Sequence, residues 1–334
     1  MTKYILRFLS VLALVTTLIA EADGAKKIKV GLVLDKGGRD DKSFNAAAYA
    51  GATEAAKRLQ VDLKVVEASD DTAIEPSLRT FAQHDYALVV GIGFVQSAAV
   101  RKVAVDFPKT HFLIVDSEVK LPNVRSVLFK EHEGSYIIGV IAALASKTGS
   151  VGFLGGMDIP LIRRFELGYR TGVQAGKKGV KVVTNYVGST SDAWKNPTKA
   201  HELALSQYQK GVDIIFAAAG ASALGAFDAA EELKKFIIGV DSNQNWIKPG
   251  RVLTSMLKRV DLAVSEAIET ESKGNFQAGY FQVGLAEGAI DFVIDQHNRA
   301  ILTPELERKA NEVKELIIKK QIKVPDYYET KKSG

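Results

Sequence analysis

A chain of 334 residues, 46% hydrophobic and 25% charged, is long enough for two domains with real cores and is not composed like a disordered or fibrous protein. Its net charge of +5 is mild and its acidic residues are interspersed, which describes a mixed solvated surface and not a nucleic-acid footprint. The absence of cysteine excludes disulfides, thiol nucleophiles and thiolate-bound metals.

The chain opens with positive charge at Lys3 and Arg7, an apolar run over 8–20, and small residues at Ala20, Ala22 and Ala25. This is the layout of a cleavable signal peptide over 1–24, with export to the periplasm as its consequence. The run is shorter than the roughly 20 residues that a spanning helix needs. With no Cys at the cleavage region, no lipid anchor is expected.

Beyond this point short apolar runs alternate with longer amphipathic stretches, the pattern of α/β architecture with a parallel sheet. Strands are predicted at 27–34, 62–67, 86–90, 111–115 and 124–129, with helices at 43–59, 74–83, 96–106 and 133–145. The alternation then restarts. Strands at 150–154, 180–186, 213–217 and 236–240 are interleaved with helices at 161–175, 198–209 and 222–234. A third section places a helix at 261–271 between strands at 252–257 and 280–283, and a charged helix follows at 304–319.

The halves share one plan. Lys29-Val30-Gly31-Leu32-Val33 is matched by Ser150-Val151-Gly152-Phe153-Leu154, and the run 86–91 by 212–217. Phe112-Leu113-Ile114-Val115-Asp116-Ser117 is matched by Ile237-Ile238-Gly239-Val240-Asp241-Ser242. Two doubly wound parallel-sheet lobes are therefore expected: 25–130 plus 243–278, and 131–242 plus 279–330, joined by a hinge of several strands. Open α/β sheets bind ligands beyond the carboxyl ends of their strands. That rule aims Asp116 and Asp241 into a shared crevice.

The loop Gly37-Gly38-Arg39-Asp40-Asp41-Lys42-Ser43-Phe44-Asn45 links the first strand to the first helix, with Ser43 suited to the N-cap. Its aspartates repel phosphate and it lacks GxGxxG, so a neutral, donor-rich ligand fits better. Asp41 accepts hydrogen bonds, Asn45 does both, and Phe44 offers a flat face; turn residues with a core Phe are the plainer reading. Trp194 lies in the polar loop 188–194, where stacking across the cleft and ordinary packing both remain open. Gly220 opens the helix after the 213–217 strand, where backbone amides can donate to ligand oxygens. Lys258 follows the 252–257 strand and can pair with Asp116 or Asp241.

Catalytic patterns are poor. There is no Gly-x-Ser-x-Gly elbow, His-Glu-x-x-His or Walker lysine, and the five histidines are scattered without metal spacing. Neither a metal nor a cofactor is expected. Asp116 and Asp241 can form an acid/base pair, or accept two sugar hydroxyls.

Several segments resemble the basic membrane protein family of substrate-binding proteins, the group that includes the purine nucleoside receptor A lipoproteins. They are Asp41-Lys42-Ser43-Phe44-Asn45, Gly155-Gly156-Met157, Tyr186-Val187-Gly188, Gly239-Val240-Asp241-Ser242-Asn243-Gln244 and Ser255-Met256-Leu257-Lys258-Arg259-Val260-Asp261. The resemblance runs from about residue 27 to 325 and implies a type I periplasmic-binding-protein fold and nucleoside uptake through an ABC permease. It places the base between Phe44 and Trp194 and its edge on Asp41 and Asn45. The sugar goes to Asp116, Asp241, Gly220 and Lys258. The family's acylated Cys is missing here. A monomer that binds no nucleic acid is expected. Other readings are a same-fold receptor for a sugar or signalling furanose, and an exported nucleoside hydrolase.

Overall fold

The computed structural model describes residues 27–330; the expected signal peptide lies outside them. The first lobe begins with β1 (Lys29–Leu34), α1 (Phe44–Leu59), β2 (Asp62–Glu67), α2 (Ile74–Gln83) and β3 (Leu88–Ile92), followed by α3 (Ser97–Asp106), β4 (His111–Val115) and β5 (Val124–Phe129). The chain then crosses over. The second lobe holds α4 (Glu131–Ala145), β6 (Ser150–Met157), α5 (Pro160–Gly176), β7 (Lys181–Gly188) and α6 (Pro197–Gln209), then β8 (Ile214–Ala218), α7 (Ala223–Glu232), β9 (Phe236–Asp241) and β10 (Val252–Lys258). Last come α8 (Val260–Ser272), β11 (Gly279–Val283), β12 (Ile290–Phe292), α9 (Pro304–Ile318) and the short α10 (Tyr327–Thr330).

The sheets run β11-β5-β4-β3-β1-β2 and β12-β10-β9-β8-β6-β7. Matching the lists position by position pairs β1 with β6, β3 with β8 and β4 with β9, which is the repeat seen in the sequence. Every adjacent pair is parallel except the edge pair β10–β12. Helices cover both faces of such a sheet, so central strands must be apolar throughout. Leu88–Ile92 and Ile214–Ala218 are buried at every position, which accounts for the absence of polar side chains from both.

Two strands fall on the other side of the expected division. Val252–Lys258 was expected in the first lobe but pairs with β9 in the second sheet. Gly279–Val283 was expected in the second lobe but pairs with β5 in the first. The link from Asp241 to Val252 is long enough to return the chain to the start of a neighbouring parallel strand. The second sheet therefore gains β10 before the chain crosses back.

Three crossings, near Lys130, Arg259 and Gly284, form the hinge. They are laced by backbone hydrogen bonds from Lys130 N to Val283 O (2.8 Å) and from Arg259 N to Ala289 O (2.8 Å). In the second lobe α4 and α5 pack almost backbone to backbone. A Cβ on Gly172 would strike the backbone of Tyr136, and one on Gly139 would strike that of Tyr169, so only glycine admits this approach.

Candidate functional site

Three aspartates stand at the carboxyl tips of parallel strands. Asp35 follows β1, Asp116 follows β4, and Asp241 ends β9; each is 8% exposed. All three line one cleft between the lobes, with a volume of about 580 Å³ measured out to its mouth.

The first loop is organised around Asp41. Its carboxylate accepts from the backbone N–H groups of Ser43 (2.8 Å), Asn45 (2.8 Å) and Ala46 (2.9 Å), and so caps α1. Ser43 occupies the N-cap position, but its side chain makes no bond to the helix. Its hydroxyl instead donates across the cleft to Asp241 Oδ2 at 2.5 Å. Asn45 donates from Nδ2 to Asp35 Oδ1 (2.7 Å) and Asp41 Oδ2 (3.0 Å), and accepts from Asp35 N (3.0 Å). Both polar ends of Asn45 are thus engaged in holding Asp35 and Asp41.

Lys258, at the end of β10, is 2% exposed. Its ammonium lies 2.6 Å from Asp116 Oδ2 and 3.1 Å from Glu131 Oε1, and so spans both lobes at the hinge. It also sits 5.0 Å from the centre of the Phe44 ring and 5.1 Å from that of Phe129, within cation–π range. Asp116 Oδ1 has no hydrogen-bond partner within the protein.

One lysine shared among several buried acids cannot keep them all in the ordinary carboxylate range. Burial pushes Asp241 up to about 7, opposed by Lys258 and by the Ser43 hydroxyl. Burial pushes Asp35 up to about 6, opposed by the Gly37 N–H and Asn45. Asp116 is raised by burial, which Lys258 only partly offsets, and Glu131 adds to the rise. Burial works against the Lys258 charge, but Asp116, Glu131 and Asp241 outweigh it and hold the ammonium above its usual range.

Apolar walls complete the cleft. Phe44 and Phe94 come from the first lobe, and Leu161, Ile162, Phe165 and Trp194 from the second. Trp194 lies over Gly156 so closely that any Cβ there would collide with the indole ring. Gly220, at φ +54°, turns the chain beside the same ring. At the rim Lys36 pairs with Asp192, and Ser191 Oγ donates to Asp71 Oδ2 at 2.8 Å. These bonds, with that of Ser43 to Asp241, tie one lobe to the other across the cleft.

Asp41, Phe44, Asn45, Asp116, Trp194, Gly220, Asp241 and Lys258 all line the cleft. Asp35, Phe94 and Phe165 also line it and were not among the expected ligand-binding residues. The rule that selected Asp116 and Asp241 applies equally to Asp35, which directly follows β1. Glu131 was missed because it opens a helix and carries no motif. Trp246 is 51% exposed and takes no part in the cleft lining. Among the described residues no group of three or more His, Asp or Glu is placed to hold a metal ion, and no helix is long and apolar enough to cross a membrane.

Comparison with known proteins agrees with this fold. A family model described as ABC transporter substrate-binding protein PnrA-like matches residues 28–327. The CD4+ T-cell-stimulating antigen of Listeria monocytogenes is 34% identical, over 90% of this chain and 89% of that protein. A Lactococcus lactis protein named ABC transporter nucleoside-binding protein BmpA is 33% identical over 89% of each chain. The crystal structure of an ABC transporter system solute-binding protein from Aeropyrum pernix superposes with a TM-score of 0.82 at 30% identity, covering 89% of this chain and 94% of that one.

Proposed function

Because this chain belongs to the Bmp family of PnrA-like ABC transporter substrate-binding proteins, we propose that it is an exported, non-enzymatic receptor that closes its lobes on a purine nucleoside and delivers it to an ABC permease. One observation carries the reading: Phe44 and Trp194 line the cleft from opposite lobes beside Asp116, Asp241 and Lys258. A nucleoside needs both a flat sandwich and paired hydroxyl acceptors.

In this reading Phe44 and Trp194 stack on the base, each worth roughly 1–3 kcal/mol. The base edge, expected on Asp41 and Asn45, goes in this reading to Asp35, because Asp41 is taken up by the α1 backbone and Asn45 by Asp35 and Asp41. Asp116 and Asp241 accept the two ribose hydroxyls, with Lys258 and the Gly220 backbone completing the sugar subsite. An analogue lacking those hydroxyls would cost each buried carboxylate a hydrogen bond and leave Asp116 Oδ1 without a partner, which is the source of discrimination. A sugar or furanose ligand gains less from two aromatic faces than a planar base does, so it ranks second. Asp116 is held by Lys258, which disfavours it as the base of a nucleoside hydrolase. Removal of residues 1–24, a periplasmic location and a monomeric state complete the proposal.

Calorimetry with adenosine, guanosine, inosine and free ribose tests it. Binding of at least one purine nucleoside with no enthalpy for ribose is expected. Tight binding of a sugar with no response to any nucleoside would refute it, and intact nucleoside after prolonged incubation separates receptor from hydrolase.

A further inference from the structure

Behind the cleft a row of buried charges of alternating sign crosses the hinge. Lys258 lies between Asp116 at 2.6 Å and Glu131 at 3.1 Å. Glu131 Oε2 takes the Arg164 guanidinium at 2.8 Å. Arg164 also donates to the backbone carbonyl of Phe129, the last residue of β5, and makes a two-pronged pair with Asp326 at 2.8 and 2.6 Å. The ring of Tyr328 lies 5.0 Å from the guanidinium. Glu131 and Arg164 are each 1% exposed, and neither lines the cleft.

A buried ion row of this kind is a poor source of stability, since desolvation consumes most of the Coulombic gain. Its members do, however, have fixed positions. Glu131 immediately follows the first crossing, and Lys258 immediately precedes the second. The Phe129 carbonyl and the C-terminal Asp326 anchor the far end. The row therefore ties the ammonium beneath the sugar subsite to the crossings about which the lobes move.

We propose that Glu131 and Arg164 are positioning residues of the ligand site: through the Lys258–Glu131–Arg164–Asp326 row they hold the Lys258 ammonium against Asp116 and so set the hydroxyl-accepting geometry across the hinge. The inference rests on the nucleoside reading above. It extends that site to residues that touch no ligand, and makes the segment at Asp326 part of the binding apparatus.

The charges give the test its sign. Asp116 faces Lys258 from β10, Glu131 from α4, Arg164 from α5, Asp241 from β9 and Tyr328 from α10. Glu131 raises the Asp116 carboxyl and Arg164 lowers it. If the Asp116 carboxylate is the acceptor, affinity falls as acid protonates it. Glu131→Gln keeps the side-chain shape and removes a negative charge. Its acid limb should move to lower pH by about half a unit or more, and its affinity near pH 8 should fall severalfold as Lys258 loses an anchor. Arg164→Met removes a positive charge and should move the limb to higher pH. A merely structural role would weaken binding equally at every pH.

The experiment is calorimetric titration with a purine nucleoside from about pH 5 to 8 for the wild type and both variants, with circular dichroism to establish folding. Opposite displacements of the two acid limbs are expected. Should either buried variant fail to fold, Asp326→Asn at the outer end of the row reads the same coupling, as a smaller shift to lower pH. Wild-type binding with superposed pH profiles in the folded variants overturns this inference alone. Failure of the wild type to bind any nucleoside overturns the nucleoside reading and this inference with it.

Discussion

Asp116 and Asp241 stand at equivalent strand tips of the two lobes with the same backbone angle, φ +66° for each. Left-handed backbone is uncommon outside glycine, although aspartate tolerates it better than bulky residues. Its occurrence at both copies of one position matches the duplicated strand order, and it turns both carboxylates from their sheets into the shared cleft. Strain of this kind concentrates at ligand clamps.

Asp241→Ala is expected to weaken nucleoside binding by roughly 10- to 150-fold, the cost of losing a hydrogen bond to a charged group. Lys57→Ala, on α1 and away from the cleft lining, is expected to leave affinity unchanged. Calorimetry on the pair checks this. Equal affinity in both variants removes Asp241 from the site.

Stability and affinity should respond to pH in opposite directions. Burial raises Asp241 to about 7 and Asp35 to about 6, against 3.8 for an ordinary aspartate. Groups raised in the folded state contribute stability that is complete below the unfolded value and is lost as pH rises through the folded one. Their share is therefore full below about pH 4 and declines through pH 6–7. Hydroxyl recognition needs the carboxylate, so affinity rises over the same window. Thermal melts from about pH 5 to 8 should show a smaller decline in ligand-free Asp241→Asn than in the wild type. Identical slopes would mean that Asp241 is not perturbed by burial.

Much of this was legible in the residues, and the failures have physical causes. The short β-branched and aromatic-rich runs at 111–115 and 124–129 gave strand bounds that match β4 and β5, since segments of that length and composition suit a strand buried on both faces. The edge strand Ile290–Phe292 went unseen, being three residues long with Asp291 at its centre. The lobe assignment of β10 and β11 was missed because periodicity reports an element and not its sheet partner. At the site, residue types and strand tips identified eight cleft residues. The Lys258–Asp116 pair was among the expected pairings, but other partners were not legible: Asn45 turns toward Asp35, and Ser43 reaches Asp241 from 198 positions away.

Gly156→Ala should act on affinity through Trp194. The added Cβ displaces the indole from the floor of the cleft. Nucleoside binding should drop toward the level of Trp194→Ala, roughly a 5- to 150-fold loss if stacking supplies 1–3 kcal/mol. Quenching of tryptophan fluorescence on titration reads the contact directly. Wild-type affinity in Gly156→Ala would place Trp194 outside the sandwich.

Gly172→Val should do the reverse. It wedges α5 away from Tyr136 on α4 and, as overpacking, is expected to cost about 1–3 kcal/mol of stability. Nucleoside affinity of the folded fraction should stay near that of the wild type. Chemical denaturation with parallel calorimetry distinguishes the outcomes, and a loss of affinity without loss of stability would contradict the assignment.

The most direct measurement is a calorimetric comparison of one purine nucleoside with its 2′,3′-dideoxy analogue on the wild-type protein. The same base tests the aromatic walls in both ligands, so the difference isolates Asp116 and Asp241. The expected result is saturable binding of the nucleoside and a loss of roughly a hundredfold or more for the analogue, since two buried carboxylates each lose a hydrogen bond from the ligand. Equal affinity for the two ligands, or no binding of either, would contradict the account.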